Sequence, residues 1–270
     1  MKYVILLSAC VNPDGMSLTK LVDPNERMKQ YINAINFYLD KTVFPIVFTE
    51  NSNTDLSNKY EKQIRDGRLE YLTFSGNTNK KRGKGYGESE IINYSINHSV
   101  LIDSSCCIIK ITGRLIIENI NAVVISRKTF CLKQAIQCEV NSNFKFADSR
   151  IIIAPLDFFE HLLQRRELID DSKNIFFEHI LIDTIRNETD FYYFPYIIEP
   201  IIVGMSGSTG ENYFIKKKSF NMSLSYLYYQ LYLMQKFREY SLDKMNCAFV
   251  VLFKFVYYLV KLYCRLFRVC

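Results

Sequence analysis

The 270-residue chain has no tryptophan and only three histidines, His98, His161 and His179. No HExxH spacing joins them, which excludes that helical zinc pattern. Eight cysteines are present without a CxxC pair or any zinc-like spacing, and Cys106-Cys107 sits inside an apolar run. Free, buried thiols in a reducing compartment are the simplest reading. GxxxxGK[ST] is missing, which excludes a Walker loop. GxGxxG is missing and no glycine turn follows the first strand, which excludes the dinucleotide fingerprint. GxSxG is missing too: Ser206 stands in G-M-S-G-S, with no Asp and His arranged around it as a triad.

What is present is a globular composition. With 49% hydrophobic and 23% charged residues, disorder is not expected. This length buries a full core in one large domain, or in one domain plus an appendage. The net charge of +6 is uneven. Residues 214–270 carry ten Lys and Arg against two acids, net +8, and the remainder carries 24 against 26, net −2. The basicity belongs to the tail, and no nucleic-acid partner is expected.

Along the first 115 residues, apolar and amphipathic stretches alternate. "MKYVILLSACVNPDG" begins like a signal peptide, but its short apolar run breaks at once into a polar turn, as a buried first strand does. "DPNERMKQYINAINFYLDKT" predicts an amphipathic helix with Asp23 as cap and Pro24 in the first turn. "VFPIVFTEN" predicts a second strand, Leu56 to Asp66 a short helix, and "LEYLTFS" a third strand. Ser89 to Ser99 predicts a helix and "CCIIKITG" another strand. This βαβα order predicts an α/β fold: a mostly parallel sheet flanked by helices, with ligands at the carboxyl ends of the strands.

Between the third strand and its helix lies "NKKRGKGYGESE", residues 79–90. Such a stretch either brings amides and a helix N-terminus towards an anion or is a plain turn. The order of the segments, with "GKGYGE", "KITGR", "FADSR" and "GMSGSTG", resembles the nucleotide-binding half of A-type glycosyltransferases. Among these it is most similar to bacterial enzymes that build capsular polysaccharide and lipopolysaccharide O-antigen chains. The resemblance covers about residues 1–215 and leaves 216–270 as a helical tail. It implies a GT-A-like, Rossmann-like sheet, a nucleotide-sugar donor with UDP as the expected nucleotide, and a glycan acceptor.

Such enzymes commonly end the fourth core strand with Asp-x-Asp, whose carboxylates hold a divalent metal on the donor diphosphate. Here the place reads "IIKITGR". Lys110 and Arg114 either meet the phosphates directly, without a required cofactor, or snorkel from a buried strand end. Asp103 and Asp148 are the fallback ligands should Mn²⁺ or Mg²⁺ be used. The resemblance further implies that Glu50 and Asn51 hold the base or ribose, and Lys84 and Gly85 the diphosphate. Ser206, Ser208 and Thr209 belong to a lid over the diphosphate, or to a linker. Asp148 and Arg150 contact donor or acceptor, or form a structural pair.

Two echoing segments follow, "FFEHLL" (158–163) and "FFEHIL" (176–181), each an amphipathic helical piece. Inverting A-type enzymes carry a catalytic carboxylate at a helix start beyond the acceptor loop, which the resemblance puts at Glu178, with Glu160 as the rival. Either glutamate is otherwise a solvated helix charge.

In the tail, "NCAFVVLFKFVYYLVKLYCRLFRVC" is too interrupted by charge for a comfortable spanning helix. Lys254, Lys261, Arg265 and Arg268 fall on one helical face, with aromatic and aliphatic residues on the others. That pattern predicts a basic amphipathic helix lying on an anionic membrane, suited to a lipid-linked acceptor; a core helix or a dimer seam are the alternatives. The expectation is a peripheral glycosyltransferase on the cytoplasmic face of the inner membrane, working by inverting displacement. A nucleotidyltransferase that makes the activated sugar is the alternative of the same fold. A non-catalytic, membrane-bound subunit of glycan assembly is the alternative of another class.

Overall fold

The computed structural model describes residues 1–16, 19–129, 132–207, 209–213, 220–236 and 255–263. Its centre is a five-stranded sheet in the order β3 (Leu69–Thr73), β2 (Ile46–Glu50), β1 (Lys2–Ala9), β4 (Cys106–Thr112), β7 (Ile151–Pro155). The first four strands are parallel and β7 runs antiparallel to β4, the mostly parallel α/β sheet that the alternating elements call for. The short helix between β2 and β3 is α2 (Glu61–Arg65). β1 is apolar on both faces because both are covered. Val4 and Leu6 join one buried cluster with α3 (Lys84–His98), α5 (Leu156–Gln164) and α6 (Phe177–Asn187). Tyr3, Ile5 and Leu7 join the other with α1 (Pro24–Lys41) and α4 (Ile120–Thr129).

α1 starts as its sequence predicts, with Pro24 in the first turn and Asp23 accepting the Asn25 amide at 2.9 Å. α3 starts five residues earlier than expected, at Lys84 rather than Ser89, so Gly85 and Gly87 lie inside its first turn. Gly83 precedes it at φ +89°, a conformation that costs other residues energy. β6 (Ala135–Ile136) pairs with β8 (Tyr192–Tyr193), downstream of α4. β5 (Ile116–Ile117) pairs with β9 (Ile202–Met205), and β9 with β10 (Asn212–Tyr213). This small sheet carries the second glycine-rich segment past the end of β4.

α7 (Phe220–Lys236), at the head of the expected tail, packs on the body: Leu233 is part of the buried cluster under α5 and α6, and the Tyr229 hydroxyl donates to the Val140 carbonyl at 3.0 Å. Residues 255–263 are helical. Among the described residues, no helix is long and apolar enough to cross a membrane. The strand order reverses between β1 and β4, where crevices open at the carboxyl ends of strands.

Candidate functional site

A cleft of about 800 Å³ opens at that point. Of the residues singled out in the sequence, Asn51, Lys84, Gly85, Arg114, Asp148, Arg150, Glu178 and Ser206 line it. Ser208 lies outside the described residues. Thr209 is exposed beside the cleft, its amide donating to Ser206 Oγ at 3.2 Å.

One wall holds two buried guanidinium groups. Arg114 is 8% exposed and lies just beyond β4. Its Nη1 donates to the Met205 carbonyl at 2.9 Å and to Gln30 at 3.2 Å, while Nε is buried without a partner among the described residues. Gly207 lies against the same guanidinium, so closely that a Cβ there would overlap it. Arg27, 6% exposed on α1, donates from Nε to the Cys10 carbonyl at 2.6 Å and from Nη1 to the Leu21 carbonyl at 3.0 Å. Neither has a carboxylate within ion-pair distance among the described residues. Two desolvated cations without counter-ions among the described residues leave this wall with a net positive charge. Arg27 was not singled out from the sequence. The signal was a cation in the first turn of a helix, where the macrodipole disfavours it.

The opposite wall carries Glu178, in the first turn of α6. The Ser149 hydroxyl donates to its Oε1 at 2.6 Å. Asp148 and Arg150 meet at the start of β7, with Arg150 Nε 2.8 Å from Asp148 Oδ2 and the guanidinium stacked over Tyr213 at 4.9 Å. Both line the cleft as a closed pair.

Four expectations need correction. Lys110 does not reach the cleft: it is wholly buried, ion-paired with Glu88, and donates to the Ser149 carbonyl at 2.6 Å. A buried ammonium needs a counter-charge, and Glu88, near the start of α3, supplies it. Glu50 faces inwards, its carboxylate accepting from the amides of Val11 at 2.9 Å, Ser52 at 2.8 Å and Thr54 at 2.7 Å. It shapes the loops that flank Asn51 and has no capacity left for a base. Glu160 is exposed on α5, away from the cleft. Asp103 precedes β4 at the opposite end of the strand, where the Ser105 hydroxyl and amide, and then Lys2 at 3.3 Å, hold its carboxyl down at about 2.

The glycine loop also differs from a free anion cradle. Asp171, from the turn before α6, puts its carboxylate at the N-terminus of α3 and accepts the Gly85 amide at 3.1 Å. The helix end is therefore occupied by an anion of the chain's own. Burial raises the Asp171 carboxyl above its ordinary range, against the pull of the Gly85 amide and of Lys84.

A divalent metal of the kind A-type enzymes hold finds a poor donor set. Among the described residues no three His, Cys, Asp or Glu side chains converge. Glu88 pairs with Lys110, Asp148 with Arg150, and Asp171 with the α3 amides. Of the cations proposed for the tail, Lys261 lies on the 255–263 helix, and Lys254, Arg265 and Arg268 lie outside the described residues.

No protein-family model matches the chain, and no curated protein matches it. Solved structures do. A cytidylyltransferase from Leptospira borgpetersenii serovar Hardjo-bovis is 17% identical, with 74% of this chain and 77% of that one covered, at a TM-score of 0.38. A 4-diphosphocytidyl-2C-methyl-D-erythritol synthase is 9% identical over 64% of this chain and 83% of its own, TM-score 0.35. Mouse xyloside xylosyltransferase 1, in its apo form, is 13% identical over 68% of this chain and 80% of its own, TM-score 0.36.

Proposed function

We propose that the protein is a glycosyltransferase that moves a sugar from a nucleoside-diphosphate sugar, UDP being the expected nucleotide, to a growing lipid-linked glycan of the capsular or O-antigen type. The observation that carries the reading is the pair of uncompensated guanidinium groups, Arg27 and Arg114, on one wall of the cleft and a serine-held carboxylate, Glu178, on the other. In the reaction, Glu178 takes the proton of an acceptor hydroxyl as that oxygen bonds to the anomeric carbon. The bond from that carbon to the diphosphate breaks, and the nucleoside diphosphate leaves with both electrons. Its growing charge is met by hydrogen bonds from Arg114 and by the field of Arg27, whose Nε and Nη1 are already engaged. Attack opposite the leaving group inverts the anomeric centre. The basic tail holds the enzyme at the cytoplasmic face of the inner membrane, within reach of a lipid-linked acceptor.

A second reading draws on Arg27, in the first turn of α1, and Lys20, in the connection after β1, which both line the cleft. Nucleotidyltransferases carry basic residues there. Incubation of the purified protein with UDP-sugars and, separately, with nucleoside triphosphates plus sugar phosphates, with and without a chelator, tests both. Release of UDP supports the first reading and release of pyrophosphate the second. No turnover of either kind favours the non-catalytic subunit.

A further inference from the structure

The segment 166–178, which ends in Glu178, is fastened to the glycine loop at several points. Arg82 Nε and Nη2 donate to the Ile169 carbonyl at 3.0 and 2.8 Å, and Nη1 to Glu167 Oε2 at 2.7 Å. Closest to the cleft is Asp171. It is 4% exposed, its Oδ2 accepts the Gly85 amide at 3.1 Å, and its Oδ1 is buried with no partner among the described residues. Two glycines clear the room for it. A Cβ on Gly83 would overlap the Asp171 carboxyl, and one on Gly85 would lie 2.8 Å from Oδ1 and 3.1 Å from the Phe177 amide nitrogen. From Asp171 to Glu178 the chain has little slack. The Asp170 amide donates to the Ile175 carbonyl at 2.8 Å, the Ile175 amide returns a bond at 3.0 Å, and Phe177 is fully buried beside them.

We propose that Asp171 is a positioning residue: it pins the segment bearing Glu178 to the N-terminus of α3, fixing the proton acceptor relative to the donor-side loop. The inference rests on the reading of Glu178 as that acceptor. It explains why "GKGYGE" needs its glycines although no free anion cradle results: they admit the carboxylate of a neighbouring segment. A buried carboxylate with one unpaired oxygen costs stability, and such costs persist where geometry matters for function.

The test compares Asp171→Ala, Asp171→Asn and Gly85→Ala with wild type by UDP titration, by kcat and donor KM, and by hydrogen exchange of residues 84–87 and 176–180. Asp171→Asn keeps an oxygen for the Gly85 amide and is expected to retain most of kcat. Asp171→Ala and Gly85→Ala are expected to lower kcat at least tenfold, to leave UDP affinity within about twofold, and to speed exchange in both segments. Gly85→Ala suits the helix, so its loss of kcat would come from the displaced segment rather than from the helix itself. Equal loss of UDP affinity and kcat in Asp171→Ala would overturn the proposal by assigning Asp171 to the donor site. Unchanged exchange in Asp171→Ala would overturn it as well. Should wild type show no sugar transfer, the reading of Glu178 falls, yet the exchange data still decide whether Asp171 joins the two segments.

Discussion

Ser149 donates its hydroxyl to Glu178 Oε1 at 2.6 Å, so this cleft-lining carboxylate is held by a short bond from the segment leading into β7. Glu178→Gln keeps the shape and removes the proton acceptor. Transfer is expected to fall by about 10²–10⁴-fold with UDP affinity unchanged. Ser149→Ala removes only the bond to the charged group, worth about 1.5–3 kcal/mol, and is expected to give a smaller loss. Glu160→Gln, out in solvent on α5, should transfer at the wild-type rate. A crippled Glu160→Gln beside an active Glu178→Gln would reverse the assignment.

The two cations near the end of β4 are expected to behave differently. Arg114→Ala removes donors from the positively charged wall, so UDP affinity should fall by about 1.5–3 kcal/mol, the range for hydrogen bonds to charged groups. Lys110→Met instead leaves Glu88 without its counter-charge, and urea melts should show about 3–5 kcal/mol less stability. Adding Glu88→Gln should recover much of that loss. A Lys110→Met variant that melts like wild type but no longer binds UDP would restore Lys110 to the donor site.

The contrast between Lys110 and Arg114 marks the limit of what the sequence discloses. The alternation of strands and helices, the covered faces and the cap at Asp23 follow from periodicity and local chemistry, and they were legible; the order of strands within the sheet and its antiparallel edge strand β7 were not. So was the gathering of polar strand ends, because a parallel sheet puts the carboxyl ends of its strands at one edge. Which of those residues face the cleft was not legible, since it depends on partners distant in sequence: Glu88 for Lys110, and Val11 and Thr73 for Glu50. Asp171 illustrates the same point. Nothing in "LIDDSKN" shows that the second aspartate meets an amide 86 residues upstream.

Asp171 also makes a pH prediction. Burial raises its carboxyl above the unfolded value, outweighing the Gly85 amide and Lys84, while neighbouring Asp170 pushes the same way as burial. A group with a raised folded pKa contributes stability that is fully present below its unfolded pKa and is lost as pH rises through the folded value. At neutral pH the ionised carboxylate therefore costs stability. Asp171→Asn is expected to melt higher than wild type near pH 7, with the gap closing as pH falls through the ordinary aspartate range. Melting temperatures of both proteins from about pH 3 to pH 8 measure this. A gap that widens on acidification would mean that the carboxylate is stabilised by its site.

The last prediction concerns the helix at 255–263. Phe255, Tyr258, Leu259 and Leu262 are 50–60% exposed and stand at i, i+3, i+4 and i+7, which is one helical face. Tyr257 and Val260 turn inwards, and Tyr257 stacks on Tyr228 of α7 at 5.6 Å. With residues 214–270 at net +8, an anionic bilayer is the expected cover for the apolar face. Replacing Phe255 and Leu259 with Ser should abolish binding to vesicles of phosphatidylglycerol and phosphatidylcholine alike, because each buried side chain contributes up to about 1.5–3 kcal/mol. Replacing Lys254, Lys261, Arg265 and Arg268 with Gln should weaken binding to the anionic vesicles only, by about 1 kcal/mol per charge, and added salt should mimic it. Both variants should keep the wild-type melting temperature, since the altered apolar side chains are half in solvent. If the Ser variant still floats with vesicles but changes from dimer to monomer in sedimentation, the face joins two copies of the chain and the membrane reading falls.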